Sequence, residues 1–454
     1  MKPTLAGQKT VVYGLGRSGV AAARLLVREG ARVTGLDQRP EAELAAVAAE
    51  LRSAGASLVF GAAPRGLLIS ADLVVVSPGV PLSLPEIQDA KAAGIKIWGE
   101  VELASRFIDE SLRVGITGTN GKSTTTALTG EMFVQAGRRT FVGGNLGRPL
   151  SESPLEKEPY PVHVIELSSF QLEGTEQFRL HAAAVLNITP DHLDRYPDFQ
   201  RYAAAKARIL MNQKAGDLAV INLDDPETVR IASSARVPVY GFTRLPTSKR
   251  LSFLAGTAVA DGSEFRLWQG ESYSVSNRAL RGAHNLENAM AATLIARLCG
   301  VDRESIQRAL DRFPGLAHRL EWVRTLDGVE WINDSKATNV DSSMVALAAL
   351  PGPIWLIAGG RGKGAPYRPM VDASEGKVKG VLTIGEDAAK IEAAFRDRYA
   401  VYPCANLEQA VRQGRTSARS GDTVLLSPAC ASYDQFKNFE ERGEIFKSLV
   451  RALH

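Results

Sequence analysis

Three blocks of this sequence are written in the same grammar. A short run of Val, Ile and Leu passes into a Gly or Ser/Pro turn, which opens an Ala- and Leu-rich helical stretch. The first block begins KTVVYGLGRSGVAAARLLVREG, continues through ARVTGLD and ends near DLVVVSPGVP. The second begins LRVGITGTNGKSTTTALTGEMFVQAG and takes in VHVIELSS and AAVLNIT. The third carries PIWLIAGGRGKG, GVLTIG and DTVLLSPACASYDQF. Strands alternating with helices make parallel sheets covered on both faces, and such sheets gather ligands at the carboxyl ends of their strands. The expected class is α/β, with the chemistry at those strand ends, in neighbouring loops or on the helices that follow.

At 454 residues the chain exceeds what one core organises. Boundaries are expected near residues 100 and 315, giving segments 1–100, 101–315 and 316–454. The second seam falls by PGLAHRLEWV, where a Pro-Gly turn follows a helical run. Residues 236–280 differ from the rest. VPVYGFT, LSFLAG, SEFRLWQG and ESYSVS are short, turn-punctuated and partly alternating, and predict a small accessory β layer. A 45% apolar and 23% charged chain is neither disordered nor fibrous. Its net charge of +4 is small and no Lys/Arg run marks a nucleic-acid patch, so no nucleic-acid partner is expected. Cys299, Cys404 and Cys430 form no CxxC pair, which fits a reducing compartment and excludes a Cys-rich zinc site. No run approaches the ~18 apolar residues of a membrane span, and MKPTLAGQKTVVYGLG lacks a signal-peptide pattern. A cytoplasmic protein with no membrane association is the expectation.

Gly14-Leu15-Gly16-Arg17-Ser18-Gly19 follows one strand and opens a helix, and Asp37 closes the next strand. The spacing is that of a dinucleotide fingerprint, with Asp37 placed for a ribose hydroxyl. A lone GxGxxG also serves plain helix–strand packing, and a nicotinamide-dependent dehydrogenase stays open at this point. Amides at a helix N-terminus attract a diphosphate whichever nucleotide carries it.

The run GITGTNGKSTTTAL resembles a phosphate loop with the wrong spacing. Gly, four residues, then Gly-Lys-Ser/Thr is the usual pattern, but counting back from Gly121-Lys122-Ser123 finds Ile116 where the first Gly belongs. A capped helix start, with Ser123 or Thr124 as N-cap, is the plain alternative. It leaves unexplained a Lys bracketed by glycines directly after a strand. Lys122 would meet the β/γ-phosphates, and Ser123 would give Mg²⁺ a hydroxyl ligand. Glu166 ends the apolar strand VHVIE, where a carboxylate beside a phosphate loop suits the same ion. Taken alone, His192 in NITPDHLDRY reads as structural and Lys206 in QRYAAAKARIL as solvated.

GTNGKST, ELSSFQLE, NITPDHLDRY, AAAKARIL, GAHNLENAMAA, PGLAHRLE, WINDSKATN and LLSPACASYDQFKNFEERG together resemble the Mur ligase family, in order and over essentially the whole chain. DHLDRY, NDSKATN and the C-terminal motif resemble its D-glutamate-adding branch. The resemblance implies a Rossmann-like N-terminal domain for a UDP-sugar, a central P-loop ATPase-like parallel sheet carrying the small β layer, and a Rossmann-like C-terminal domain for the amino acid. It implies an ATP-dependent ligase that joins D-glutamate to UDP-N-acetylmuramoyl-L-alanine through an acyl phosphate, acting as a monomer. Gly118, Thr119, Asn120, Gly121, Lys122, Ser123 and Thr124 then hold the ATP phosphates, and Asn285 and Asn288 lie by the adenine. Arg319 and Asp334 match contacts to phosphate and ribose.

Two Mg²⁺ ions, with Mn²⁺ as a substitute, are implied on Ser123, Glu166, His192 and Lys206, the last as a carbamate formed with CO₂. Lys122, Glu166, His192 and Lys206 are thus the implied catalytic set. Lys336, Thr338, Lys363, Ser432 and Phe439 match the D-glutamate pocket; Arg17, Ser18, Asp37, Ser77, Gly79, Asn145 and His192 match the UDP-sugar site. Three positions depart from the family pattern. Arg17 stands where an apolar residue is common, Gln38 where a small hydroxyl residue often follows Asp37, and Arg361 where an acidic residue is expected. Alternatives within the class are a sibling adding another amino acid and a folylpolyglutamate synthase; outside it are the dehydrogenase and a catalytically silent nucleotide switch.

Overall fold

The computed structural model describes residues 2–108, 110–192, 195–233, 235–245 and 252–454. Leu193 and Asp194 of the DHLDRY stretch and Leu251 of LSFLAG lie outside them. The chain forms two compact units, Met1–Val275 with His284–Asp311, and Ser276–Ala283 with Arg312–His454.

The first unit contains two sheets. In one, β1 (Lys9–Tyr13), β2 (Arg32–Asp37), β3 (Ser57–Phe60), β4 (Leu73–Val76) and β5 (Lys96–Gly99) pair in parallel in the order β3-β2-β1-β4-β5. The order reverses beside β1, so a crevice opens between the carboxyl ends of β1 and β4. The apolar runs VVY and LVVV are fully buried there. Helix Arg17–Arg28 turns Ala21, Ala22, Leu25 and Leu26 onto the sheet. Gly19 permits the close approach, because a Cβ at that position would lie 1.8 Å from the Gly14 carbonyl oxygen.

The other sheet has nine strands: β6 (Leu112–Thr117), β7 (Thr140–Gly144), β8 (Val162–Glu166), β9 (Ala182–Val185), β10 (Leu218–Asn222), β11 (Val239–Thr243), β12 (Leu254–Asp261), β13 (Glu264–Leu267) and β14 (Ser272–Ser274). Their order is β14-β13-β12-β11-β10-β9-β6-β8-β7. Pairing is parallel from β7 to β12, and β13 and β14 fold back antiparallel. The short strands of 236–280 therefore run on as the edge of this sheet. β13 alternates exposed and buried along EFRL, the mark of a strand covered on one face.

Carboxylates fasten the two sheets together. Glu102, on the short helix Glu100–Ser105 after β5, accepts the backbone N–H groups of Glu176 (2.7 Å), Gln177 (3.1 Å) and Phe178 (3.0 Å), and pairs with Arg106 at 2.7 Å. Beside it, Glu100 accepts the Ser151 N–H at 2.6 Å, while its Oε2 is buried without a partner. Burial pushes the Glu100 carboxyl up to about 7. Buried carboxylates persist only where backbone donors replace water, and these donors belong to the loops that open and follow the central strands.

In the second unit β15 (Glu321–Leu326), β16 (Val329–Asn333), β17 (Ile354–Gly359), β18 (Val378–Ile384), β19 (Ala400–Pro403) and β20 (Thr423–Leu426) adopt the order β15-β16-β20-β17-β18-β19, with β15 alone antiparallel. Inserting β20 between β16 and β17 brings three loops to one end of the sheet. No helix among the described residues is long and apolar enough to cross a membrane.

Candidate active site

The loop after β6 is built to present amides. Helix Lys122–Gln135 begins at Gly121, whose φ is +82° and which offers no capping side chain. Neither Ser123 nor Thr124 caps it, so no capping side chain takes up the first-turn N–H groups, which lack intrahelical acceptors; such groups suit an anion. A Cβ on Gly121 would sit 2.3 Å from Asn288 Oδ1. Asn288 is buried, its Oδ1 accepting from Thr125 Oγ1 (3.2 Å) and its Nδ2 donating to Asn285 (3.1 Å), so this pair braces the loop from behind.

From the other side the loop is clasped by Asn187, two residues after β9, and its neighbours. Asn187 accepts the Asn120 N–H at 2.8 Å and donates its Nδ2 to the Asn120 carbonyl at 3.1 Å, while its own carbonyl takes the Thr119 N–H. Thr119 Oγ1 accepts from Thr189 N and lies 3.1 Å from the Tyr202 hydroxyl. Asn187 and Tyr202 were not singled out from the sequence, although both lie inside quoted motifs.

Two titratable groups converge on this loop. Lys122 Nζ donates to the Gly118 and Thr119 carbonyls at 2.9 and 2.8 Å. Lys206 reaches the Gly118 carbonyl at 2.8 Å from helix Phe199–Ala207 and lies 4.7 Å from the Tyr202 ring centre. It is 2% exposed. Burial first, then the like charge of Lys122, push its amine down to about 7 against the pull of Asp191 and Glu166. It is not a solvated lysine.

Glu166 ends β8 opposite Ile116 and Gly144. Asn145 Nδ2 holds its Oε1 at 2.6 Å, and Oε2 is buried without a partner. His192 takes a left-handed φ of +54°, with its ring 4.9 Å from Phe170 and Nε2 3.5 Å from Asp191. Among the described residues no three His, Cys, Asp or Glu side chains form a ready metal cage. The unpartnered oxygen of Glu166 nonetheless has the chemistry of a hard-cation ligand, and such ions take their remaining ligands from phosphate and water. Lys206 could join it only after losing its ammonium character, because an ammonium has no lone pair.

A cavity of about 670 Å³ opens beside the first glycine loop. Arg17, Ser18, Asp37, Ser77, Gly79 and Asn145 line it; His192 is not among its lining residues. Ser77 Oγ donates to the Gly14 carbonyl at 2.7 Å, which ties the β1 and β4 turns together. Asp37 accepts the Leu15 N–H at 2.7 Å and pairs with Arg39 at 2.8 Å. Burial alone would raise its carboxyl, but Arg39 and the two backbone donors bring it down to about 2. Arg39 and Gln171 also line the cavity and were missed. Gln171 comes from the helix after Glu166, so the pocket draws on both sheets of the unit.

In the second unit the three loops meet. The backbones of Arg361 and Ala431 exchange hydrogen bonds at 2.9 and 3.0 Å, setting the GGRGKG loop with exposed Lys363 against the loop that carries buried Ser432. Lys336 Nζ lies 5.9 Å from the Phe439 ring centre. Arg442, 1% exposed, bonds Ser335 Oγ and the Ser335 and Cys430 carbonyls, and so locks the Lys336, Ser432 and Phe439 segments together. Asp334 accepts from Ser427 Oγ (2.8 Å) and Leu320 N (3.1 Å), and burial pushes its carboxyl up to about 7. Arg319 is exposed, Thr338 half-buried, and Arg361 pairs with Glu386 at 2.9 Å.

Comparison with known proteins matches all three stretches to Mur ligase models: an N-terminal domain described as Mur ligase MurD-like over 8–99, the Mur ligase middle domain over 116–296, and the Mur ligase glutamate ligase domain over 318–430. The UDP-N-acetylmuramoylalanine–D-glutamate ligase of Myxococcus xanthus is 59% identical over 456 residues, covering 100% of both chains. That of Anaeromyxobacter dehalogenans is 54% identical, covering 99% of this chain and 98% of its own. Among solved structures, MurF of Acinetobacter baumannii superposes with a TM-score of 0.61 at 16% identity, over 93% of this chain and 91% of its own. UDP-N-acetylmuramate–alanine ligase from Thermotoga maritima gives 0.58 at 21%, over 98% and 99%. The two structures speak to the fold, and the two sequence relatives to descent: this chain belongs to the Mur ligase family.

Proposed function

We propose that this enzyme joins D-glutamate to UDP-N-acetylmuramoyl-L-alanine in peptidoglycan synthesis, with ATP converted to ADP and phosphate. Identity of 59% across the whole length to a ligase named for that reaction is the observation that carries the reading. A carboxylate resists amines until it is activated, here as an acyl phosphate, and the burden on the protein is positioning and charge neutralisation.

The residues divide by segment. In 1–100, Arg17, Ser18, Asp37, Ser77 and Gly79, joined by Asn145, hold the UDP-sugar. In 101–315 the amides from Gly118 to Thr124 and the Lys122 ammonium hold the ATP phosphates, with Asn285 and Asn288 towards the base. In 316–454 Arg319 and Asp334 serve phosphate and ribose, and Lys336, Thr338, Lys363, Ser432 and Phe439 receive D-glutamate. Two cations and two hydroxyls answer the two carboxylates of that substrate. Glu166, Ser123, His192 and a carbamate on Lys206 would hold two Mg²⁺ ions, or Mn²⁺ in their place, which supply positive charge where γ-phosphate and acceptor carboxylate meet. The lowered Lys206 amine favours that carbamate, since CO₂ reacts with the neutral form. The enzyme works as a cytoplasmic monomer.

The test is phosphate release from ATP with UDP-N-acetylmuramoyl-L-alanine and a panel of D- and L-amino acids. Release that requires both the sugar-peptide and D-glutamate supports the reading; release with another amino acid, or with neither, overturns it.

A further inference from the structure

We infer that Arg195 is a positioning residue that couples the sugar-nucleotide cavity to the His192 loop and so sets how tightly the acceptor is held. The inference rests on the reading of that cavity as the acceptor site. Arg195 lies outside the cavity, yet it joins three pieces of the unit, two of them through its guanidinium and one through its backbone. Nη1 is 3.4 Å from the Gly79 carbonyl and Nη2 is 3.4 Å from that of Val80. The same group lies 4.3 Å over the ring of Phe170 and 3.9 Å from Glu173, both on the helix after Glu166. Its backbone N–H donates to the His192 carbonyl at 2.9 Å.

Gly79 and Val80 belong to the turn after β4 that lines the cavity. The turn is packed on the first glycine loop, where a Cβ on Gly14 would fall 2.7 Å from Val80 Cγ2. A shift of this turn would therefore move both phosphate-facing walls. The side chain is 18% exposed, its ring platform and Glu173 fixing the direction in which the fork points. Arginine is required because two successive carbonyls need two donors in a rigid plane, which a lysine does not supply. Phe170 also touches His192 and stacks on Tyr196 at 6.0 Å, so the contact on the cavity wall and the catalytic loop share one platform.

The experiment compares wild type with R195M and R195K. It measures calorimetric binding of UDP-N-acetylmuramoyl-L-alanine, KM for that substrate and for ATP, and the thermal midpoint. Loss of two charge-assisted bonds should raise the R195M dissociation constant and acceptor KM by about tenfold. KM for ATP should move less than twofold, and R195K should fall between. A purely structural residue would lower the thermal midpoint and active fraction while leaving both KM values alone. An R195M protein that stays folded and binds the acceptor like wild type overturns the inference by itself. Wild type that does not bind the acceptor overturns the site assignment and this inference with it.

Discussion

Replacing Gly121 by alanine tests the phosphate loop at the point where backbone and side-chain geometry intersect. The position is left-handed, at φ +82°, which costs an L-residue about 1–2 kcal/mol. The new Cβ would stand 2.3 Å from Asn288 Oδ1, so Asn288 must retreat and surrender its buried bond to Thr125. That adds about 1 kcal/mol. The sum of about 2–3 kcal/mol predicts a fall in ATP affinity of about 30- to 150-fold. Titration calorimetry with a non-hydrolysable ATP analogue reads this directly. In an Asn288→Ala background the clash and the bond are both gone, and G121A should cost only the backbone strain. A double-mutant cycle should then show about 1 kcal/mol of coupling. Equal G121A penalties in the two backgrounds, or wild-type affinity in the single variant, would refute the brace described for this loop.

Further expectations concern buried charge. Glu100 has its carboxyl raised to about 7, so the stability tied to its neutral form is complete below its ordinary value of 4.5 and is lost as pH rises through 7. E100Q should therefore gain about 2.5 kcal/mol on wild type between pH 5 and pH 8.5 in urea unfolding; parallel pH profiles would contradict this. Lys206→Ala should lose on the order of 10²-fold or more in turnover and recover part of it with added formate or acetate, whereas normal unrescued activity would exclude a carbamate there. Arg442→Met strands the Ser335 and Cys430 carbonyls, costing about 2–4 kcal/mol. A thermal midpoint unchanged in the isolated variant would show that the clamp is not needed.

The strand-and-helix grammar was legible because parallel strands buried on both faces must be apolar throughout, and β4 and β17 are. The glycine loop that opens helix Lys122–Gln135 was legible for a similar reason, since glycines, lysine and hydroxyls lie together in sequence. What was hidden depends on residues far apart in the chain. Glu102 reads as one more helix acid, and only the fold brings three backbone N–H groups from 176–178 to it. Arg195 meets Gly79 across 116 positions, and Arg442 meets Ser335 across 107. Lys206 looked solvated because its burial comes from the phosphate loop, not from its own helix. The strands of 236–280 read as a layer apart because turns isolate them, yet their backbone groups pair with β10 through β11. The dehydrogenase alternative rested on GLGRSG alone. It gives no account of a buried Lys206 bonded to a second glycine loop.

The most direct test of the account follows oxygen. UDP-N-acetylmuramoyl-L-alanine labelled with ¹⁸O in its alanyl carboxylate would be turned over with ATP and D-glutamate, and the released phosphate weighed by mass spectrometry. Activation as an acyl phosphate predicts one ¹⁸O carried into each phosphate released with amide formation. Amide formation with unlabelled phosphate would contradict it.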